Sequence, residues 1–332
     1  MMKHRGKINL SKFSRFQFAW SFGLALLFNI SAASCQNKSE TEISDPTSFI
    51  PFKSEYKVQD LSISTAYVEI PKSLGTVDLD EVSGMAFSIT NPGFIWVHQD
   101  SGDGATIYLL DASNSETVGS YTLAGFSNRD WEDMEIGPGP IAGKSYIYIA
   151  ETGDNEQKYG DYAILRFEEP KFAEQQRGKN ISISEGIDKI DFKYPAKNHD
   201  VECLLIDPLT KNIYLVTKRD FLGKVYEIPF PQKSSGQNTP VDVGTFPFTF
   251  ITAGSVSKDG LQVAIKTYDR IFYWTRQPKQ SFVDMLAGTP ELLPYQREPQ
   301  GEAFCFHLDG GYFTLSEKAN DKVPDLYFYS KK

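Results

Sequence analysis

One acidic strand motif recurs along this chain, and its recurrence constrains the fold more than any other feature. The copies begin at Glu81-Val82-Ser83-Gly84, Asp130-Trp131-Glu132-Asp133, Asp200-Val201-Glu202-Cys203 and Gln300-Gly301-Glu302-Ala303, with a weaker one at Ile251-Thr252-Ala253-Gly254. In register they place Ser83, Glu132, Glu202, Ala253 and Glu302 at one position, at intervals of 49, 70, 51 and 49 residues. Two residues earlier stand Glu81, Asp130, Asp200, Ile251 and Gln300. Side chains two apart on a strand share a face, so both sets point the same way. On that alternation Asp133 turns away from the shared face.

Each acidic strand is followed by a turn and an apolar strand, as in Phe94–His98, Ser145–Ile149, Asn212–Val216, Leu261–Ile265 and Gly311–Leu315. The turns carry Asn91-Pro92-Gly93, Asp207-Pro208, Lys258-Asp259-Gly260 and Asp309-Gly310-Gly311, residues that tolerate positive φ. Third strands follow at Thr106–Leu110, Tyr162–Phe167, Lys224–Ile228, Arg270–Trp274 and Asp325–Tyr329. Fourth strands are read at Ser120–Leu123 and Ile190–Tyr194. About four strands per unit of near-constant length predict an all-β chain forming one β-propeller. Five four-stranded blades are expected. A sixth, degenerate blade within the 70-residue interval is the alternative, and otherwise that interval holds a polar surface insertion near 171–186. The last repeat ends after three strands. The segment Ser62–Ile70 is expected to supply its fourth and close the ring, which removes an open edge. No helical periodicity competes after the leader.

The first 34 residues read as an export signal. Lys3, Arg5, Lys7, Lys12 and Arg15 precede an apolar run from Phe18 to about Ala33, which ends in Ser31-Ala32-Ala33-Ser34-Cys35. Small residues before a cysteine resemble a bacterial lipobox, although Ala32 stands where leucine is commoner. The resemblance implies lipidation at Cys35. An ordinary secretory peptide is the alternative. Residues 35–58 read as a polar tether and 59–332 as the propeller. No other stretch is apolar and long enough to span a bilayer.

Removing five leader cations from a chain of net charge −9 leaves about −14. Such a surface repels phosphate backbones and argues against nucleic acid as a partner. Of the three cysteines, Cys203 and Cys305 fall in non-neighbouring repeats. They read as two buried thiols, with a disulfide as the alternative.

Several phrases resemble those of a family of mostly uncharacterised secreted bacterial propellers with ELSGL, HNDSG, DWEDI and DIGDN motifs. They are Glu81–Ala86, Trp96–Gly102, Asp130–Asp133 and Glu151–Asn155, with Val201–Leu204 and Gln300–Ala303 matching that family's VEAL and QGEA. The likeness spans residues 60–330. More loosely, the strands are similar to those of the SdiA-regulated propellers. The resemblance implies a propeller with calcium in its channel and no defined reaction. Gln99, Glu151 and Cys203 stand where asparagine, aspartate and alanine are usual.

First strands of blades lie nearest the axis, so Glu132, Glu202 and Glu302, with Asp130 and Glu81 nearby, are expected to line one channel and hold a divalent cation. Calcium suits such a ring, because it accepts six to eight oxygens in flexible geometry. Zinc lacks ligands, since His98, His199 and His307 show no ligand spacing. The competing reading pairs these acids with backbone N–H groups and neighbouring Lys or Arg. The ends of the second strands give a further ring of Asp100, Glu151, Lys218, Lys266 and Glu317. With Asp154 it is expected to bind a small polar ligand or partner, or else to be a rim of salt bridges. Asp100–Gly104 and Thr152–Asn155 read as glycine-bearing turns without calcium-loop spacing, and Trp96 and Trp131 as inter-blade packing or an aromatic sugar platform. Three functions fit: a lipid-anchored envelope binding module, a metal-dependent phosphoesterase or lactonase, or an envelope protein without ligand.

Overall fold

The computed structural model describes residues 50–319 and 322–332, so Cys35, the leader and the tether up to residue 49 lie outside the described residues. Antiparallel strands form five sheets arranged as the blades of a five-bladed propeller. Blade 1 comprises Val82–Phe87, Phe94–Gln99, Thr106–Asp111 and Thr117–Leu123. Blade 2 comprises Trp131–Pro138, Ser145–Glu151, Tyr162–Glu168 and Ile187–Phe192. Blade 3 comprises Val201–Ile206, Ile213–Thr217, Gly223–Ile228 and Val241–Phe246. Blade 4 comprises Ile251–Val256, Gln262–Thr267, Ile271–Thr275 and the short Glu291–Leu292. Blade 5 comprises Gly301–Phe306, Tyr312–Ser316 and Asp325–Tyr329, completed by Lys72–Thr76. The hairpin glycines Gly93 and Gly260 adopt φ of 91° and 73°, a region closed to most side chains.

Closure from the N-terminal side holds, but the closing strand is Lys72–Thr76 rather than Ser62–Ile70. The expected segment carries strand-favouring residues, yet it makes only isolated bridges, Ile63 with Leu292 and Tyr67 with Lys331. Tyr67 is fully buried between blades 4 and 5, while Ile63 and Ile70 are exposed. Ordered chain also begins before the predicted boundary, because Phe52–Lys53 pairs in parallel with the outer strand of blade 3. The long interval holds no sixth blade. Its insertion places Asn180–Ile183 parallel to Ser120–Leu123, as a fifth strand on blade 1. One short helix, Phe282–Ala287, escaped the periodicity argument because it spans under two turns; Ser281 caps it by accepting the Asp284 N–H at 3.0 Å.

Apolar clusters fill the blade interfaces. Trp96 and Trp131 are fully buried together between blades 1 and 2, which removes the sugar-platform reading. Their indole N–H groups donate to Glu169 at 3.0 Å and Glu151 at 2.9 Å, so the buried donors are satisfied. Cys203 packs toward blade 4 and Cys305 toward blade 1, both as buried free thiols.

Every innermost strand carries a β-bulge. The pairing register slips between Val82 and Gly84, Trp131 and Met134, Val201 and Cys203, Ile251 and Ala253, and Gly301 and Ala303. A bulge inserts an unpaired residue and re-aims side chains. The structurally equivalent bulge residues are Ser83, Glu132, Glu202, Thr252 and Glu302. In blade 4 the position therefore belongs to Thr252, not Ala253. Ser83 donates its hydroxyl to the Glu132 carbonyl, and Thr252 donates to the Gly301 carbonyl at 3.3 Å, each stitching one inner strand to the next.

Candidate metal centre

The bulges decide what faces the axis. Glu132, Glu202 and Glu302 are all buried, with 3–4% of their surface exposed. Asp133 is buried too, contrary to the alternation expected of a regular strand. Its carboxylate accepts the Met134 N–H at 2.8 Å, the Leu204 N–H at 2.8 Å and the Gly254 N–H at 3.1 Å. Glu135 accepts the Ile136 N–H at 2.8 Å and the Val256 N–H at 2.7 Å. Blade 2 thus reaches across the axis to blade 4, and the end of the axis where the inner strands begin is termed the funnel. Burial pushes Asp133 well above the usual carboxylate range despite its donors, and pushes Glu135 up to about 8.

Around the funnel, carboxylate oxygens of Asp100, Asp130 and Glu132 lie within 4.8 Å of one another, as do those of Glu132, Asp200 and Glu202. Oxygens on opposite sides of one calcium ion stand about 4.6–5.2 Å apart, so each triad matches the span of a single ion. The two triads share Glu132.

The triads differ in compensation. In the inner one, Lys218 pairs with Glu202, and its Nζ lies 3.8 Å from Glu302. Burial acts to lower the Lys218 amine, but Glu202 and Glu302 outweigh it and keep it protonated. Arg219 Nε lies 2.6 Å from Asp200 Oδ2, and Asp200 Oδ1 accepts the Asp154 N–H at 2.8 Å. In the outer triad no Lys or Arg of the described residues pairs with Asp100, Asp130 or Glu132. The Glu132 carboxylate, in a side chain 96% buried, receives no hydrogen bond among the described residues. Burial, then Glu202 and Asp100, raises Glu132 well above the usual range, with Lys218 opposing. Burial, followed by Asp100, Asp200 and Glu151, pushes Asp130 up to about 7. Gly153 is required here, since a β-carbon would stand 2.2 Å from Glu132 Oε1 and 2.6 Å from Asp130 Oδ2.

Not every predicted residue joins this site. Glu81 is exposed and belongs to neither triad. Glu302 accepts the Tyr268 hydroxyl at 2.7 Å beside Lys218, while its Oε2 has no hydrogen-bond partner. Glu151 turns outward: it accepts the Arg129 and Asp130 N–H groups at 3.0 and 3.1 Å and the Trp131 indole, which fixes the acidic strand's start. Asp154 is enclosed by the Lys158 and Tyr159 N–H groups and the Tyr162 hydroxyl at 2.7 Å, so it shapes a turn. Asp103 does the same for Gly104, Gln99 and Tyr108.

The expected second-strand ring also needs re-registering. Val201 pairs with Thr217, Ile251 with Thr267 and Gly301 with Ser316, so Asp100, Lys218, Tyr268 and Glu317 are equivalent and Lys266 is not. Lys266 is buried against the Gly301 and Thr267 carbonyls and the Tyr295 ring, and burial lowers its amine to about 8. Glu317 stays in the ring, bonded to the Gln300 amide and raised by burial to about 8.

Sequence reasoning placed Lys218 in the second-strand ring but missed Arg219 and the contacts that hold their loop. Asp220 holds it down: His199 Nδ1 lies 2.6 Å from Asp220 Oδ2, Tyr226 contacts His199 Nε2 at 2.8 Å, and Lys197 pairs with Asp220 at 2.6 Å. Burial acts to raise Asp220, yet His199 and Lys197 outweigh it and hold it below the usual range. Thr249 donates to the Lys218 and Asp220 carbonyls at 2.7 Å, and the Phe250 N–H donates to Lys218 at 2.9 Å. Phe250 has φ of 59° and is 55% exposed, and Phe221 is 94% exposed. The one signal in the sequence is two adjacent cations, Lys218-Arg219, after the strand Ile213–Thr217 that pairs with the acidic strand of Asp200 and Glu202.

No protein-family model and no curated protein matches the chain. Solved propeller structures do. The Dos1 propeller is similar at 13% identity and a TM-score of 0.35, over 75% of this chain and 68% of that one. A luciferin-regenerating enzyme is similar at 11% identity and a TM-score of 0.40, over 79% and 95%. A chain of the nidogen/laminin complex is similar at 12% identity and a TM-score of 0.40, over 71% and 72%.

Proposed function

We propose that this propeller binds a divalent cation, calcium by its all-oxygen donor set, at Asp100, Asp130 and Glu132. The supporting observation is Glu132, a buried residue at the junction of two acidic triads whose carboxylate accepts no hydrogen bond among the described residues. A buried anion without compensation is costly, and a hard cation with six to eight oxygens removes that cost. Asp133 and Glu135 follow the competing reading, in which acids bond to backbone N–H groups. The outer triad does not follow it. The funnel mouth, at the second-strand ends that carry Asp100, Lys218, Tyr268 and Glu317, then receives a small ligand or partner beside the ion. The leader and Cys35 fit a protein exported to the envelope and anchored there by lipid.

Calorimetric titration with calcium tests this reading. Saturable binding that disappears in Glu132→Gln supports it, and the absence of heat together with a melting temperature indifferent to chelator overturns it. A phosphoester and lactone panel with and without calcium separates a binding module from a hydrolase. Labelling with a fatty-acid analogue, lost in Cys35→Ser, tests the anchor.

A further inference from the structure

The inner triad is compensated by residues of the chain, but not fully. Six buried or half-buried carboxylates surround the funnel: Asp100, Asp130, Glu132, Asp200, Glu202 and Glu302. Among the described residues only Lys218 and Arg219 pair with them, so the six carboxylates, once all are ionised, exceed their paired cations by four. One divalent ion cancels half of that remainder, and two cancel it entirely. The oxygens are already sorted into two sets of the right span, and the five residues do not merge into one set at that spacing.

The two internal cations are not equally fixed. Lys218 is buried, with 5% of its side chain exposed, between Glu202 and Glu302 and beneath Tyr268. Arg219 is 39% exposed. Its approach to Asp200 is close, yet Asp200 Oδ2 receives no directed hydrogen bond and is itself buried. The Arg219 guanidinium also reaches Asn155, an exposed partner at the rim. Asp200 Oδ2 is thus a buried oxygen of an inner-triad residue, held by an ion pair whose cation has a path to solvent. Glu132, which has no donor of its own, bridges to the outer ion.

The geometry points to a two-cation centre. A first divalent ion sits at Asp100–Asp130–Glu132, and a second at Glu132–Asp200–Glu202, which displaces Arg219 from Asp200 into the mouth. The centre rests on the function proposed above and adds a second site to it. Arg219 acts as a removable internal counter-ion, so the second ion binds more weakly than the first. Released, its planar fork of donors faces the mouth, where an oxyanion of a ligand meets both the guanidinium and the metal pair.

The number of calcium ions bound per chain decides this, counted by native mass spectrometry and by calcium titration of the purified protein. Two ions in separate affinity steps are expected. Asp200→Asn is expected to keep only the tighter step and Asp100→Asn to leave a single ion. Arg219→Met is expected to tighten the second step about tenfold or more, since a like charge has been removed from the ion's neighbourhood. A single ion in both the wild type and Arg219→Met overturns the two-cation centre while leaving the proposed function standing. Zero ions in the wild type overturns both. Circular dichroism melting of each variant separates loss of a ligand from loss of the fold.

Discussion

Glu132 and Asp133 are neighbours on one strand, yet both carboxylates are buried at the axis, and only Asp133 is hydrogen-bonded there. The bulge between Trp131 and Met134 makes this arrangement. One acid joins blades through three backbone N–H groups, and the other accepts no hydrogen bond among the described residues. Their substitutions are therefore expected to act in opposite directions. Without divalent ions, Glu132→Gln raises stability by about 1 kcal/mol or more, because it removes a desolvated charge. Asp133→Ala lowers it by about 3 kcal/mol, because buried N–H groups of Leu204 and Gly254 lose their acceptor. Urea denaturation in chelator measures both.

Lys218 is the internal cation that holds Glu202 and Glu302 together. Lys218→Met leaves two buried carboxylates near each other without compensation. A loss of about 3–5 kcal/mol is expected at pH 8, with partial recovery at pH 5, where protons replace the ammonium. A loss that is identical at both pH values would contradict the pairing.

Phe250 holds a left-handed conformation, with φ of 59°, that a bulky side chain adopts at a cost. It is also exposed, so its ring supplies little burial to offset that cost. Phe250→Gly is expected to stabilise the protein by about 1 kcal/mol. If the ring belongs to the ligand mouth, the same change weakens ligand binding, the pattern of strain kept for function. Denaturation midpoints check the first half, and binding of any ligand found at the mouth checks the second.

The pH dependence follows from carboxylates that the fold raises. Burial holds Asp130 and Glu298 up at about 7, and Glu135 and Glu317 at about 8. Unfolding releases them to ordinary values near 4 to 4.5, so between about 4 and 8 the folded state binds more protons than the unfolded one. Stability without metal therefore falls as pH rises through that window and levels above it. Lys266 runs the other way: burial lowers it to about 8, so deprotonation favours the fold between about 8 and 10.5. Metal-free melting temperatures are expected to decline from pH 5 to 8 and recover partly above that. Calcium is expected to flatten the decline, because it takes over the compensation that protons provide at low pH.

Much of this was legible in the chain. Repeats near 50 residues, strands in fours and glycine-bearing turns specify the blades, and the acids at each repeat's start specify a polar axis. What period-two alternation could not supply was the bulge. It moved blade 4 one residue, from Ala253 to Thr252, and brought Asp133 inward. Tyr268 replaced Lys266 in the second ring because Thr267 pairs with Ile251, which moves the ring position two residues along the strand. Asp130-Trp131-Glu132-Asp133 contained the warning, since acids at both alternating faces of a buried strand require either a bulge or donors on both sides. Ser62–Ile70 misled because its composition favours a strand while its backbone serves isolated bridges around the buried Tyr67. Arg219 showed only as the second of two adjacent cations, because its partner Asp200 stands opposite Lys218 on the neighbouring strand, a pairing that spacing along the chain does not reveal.

Equilibrium dialysis of radiolabelled calcium against the metal-free protein tests the central claim most directly. Saturable uptake that is abolished in Glu132→Gln and retained in Glu81→Gln is the predicted result. No uptake by the wild type, or uptake undiminished by Glu132→Gln, would contradict it.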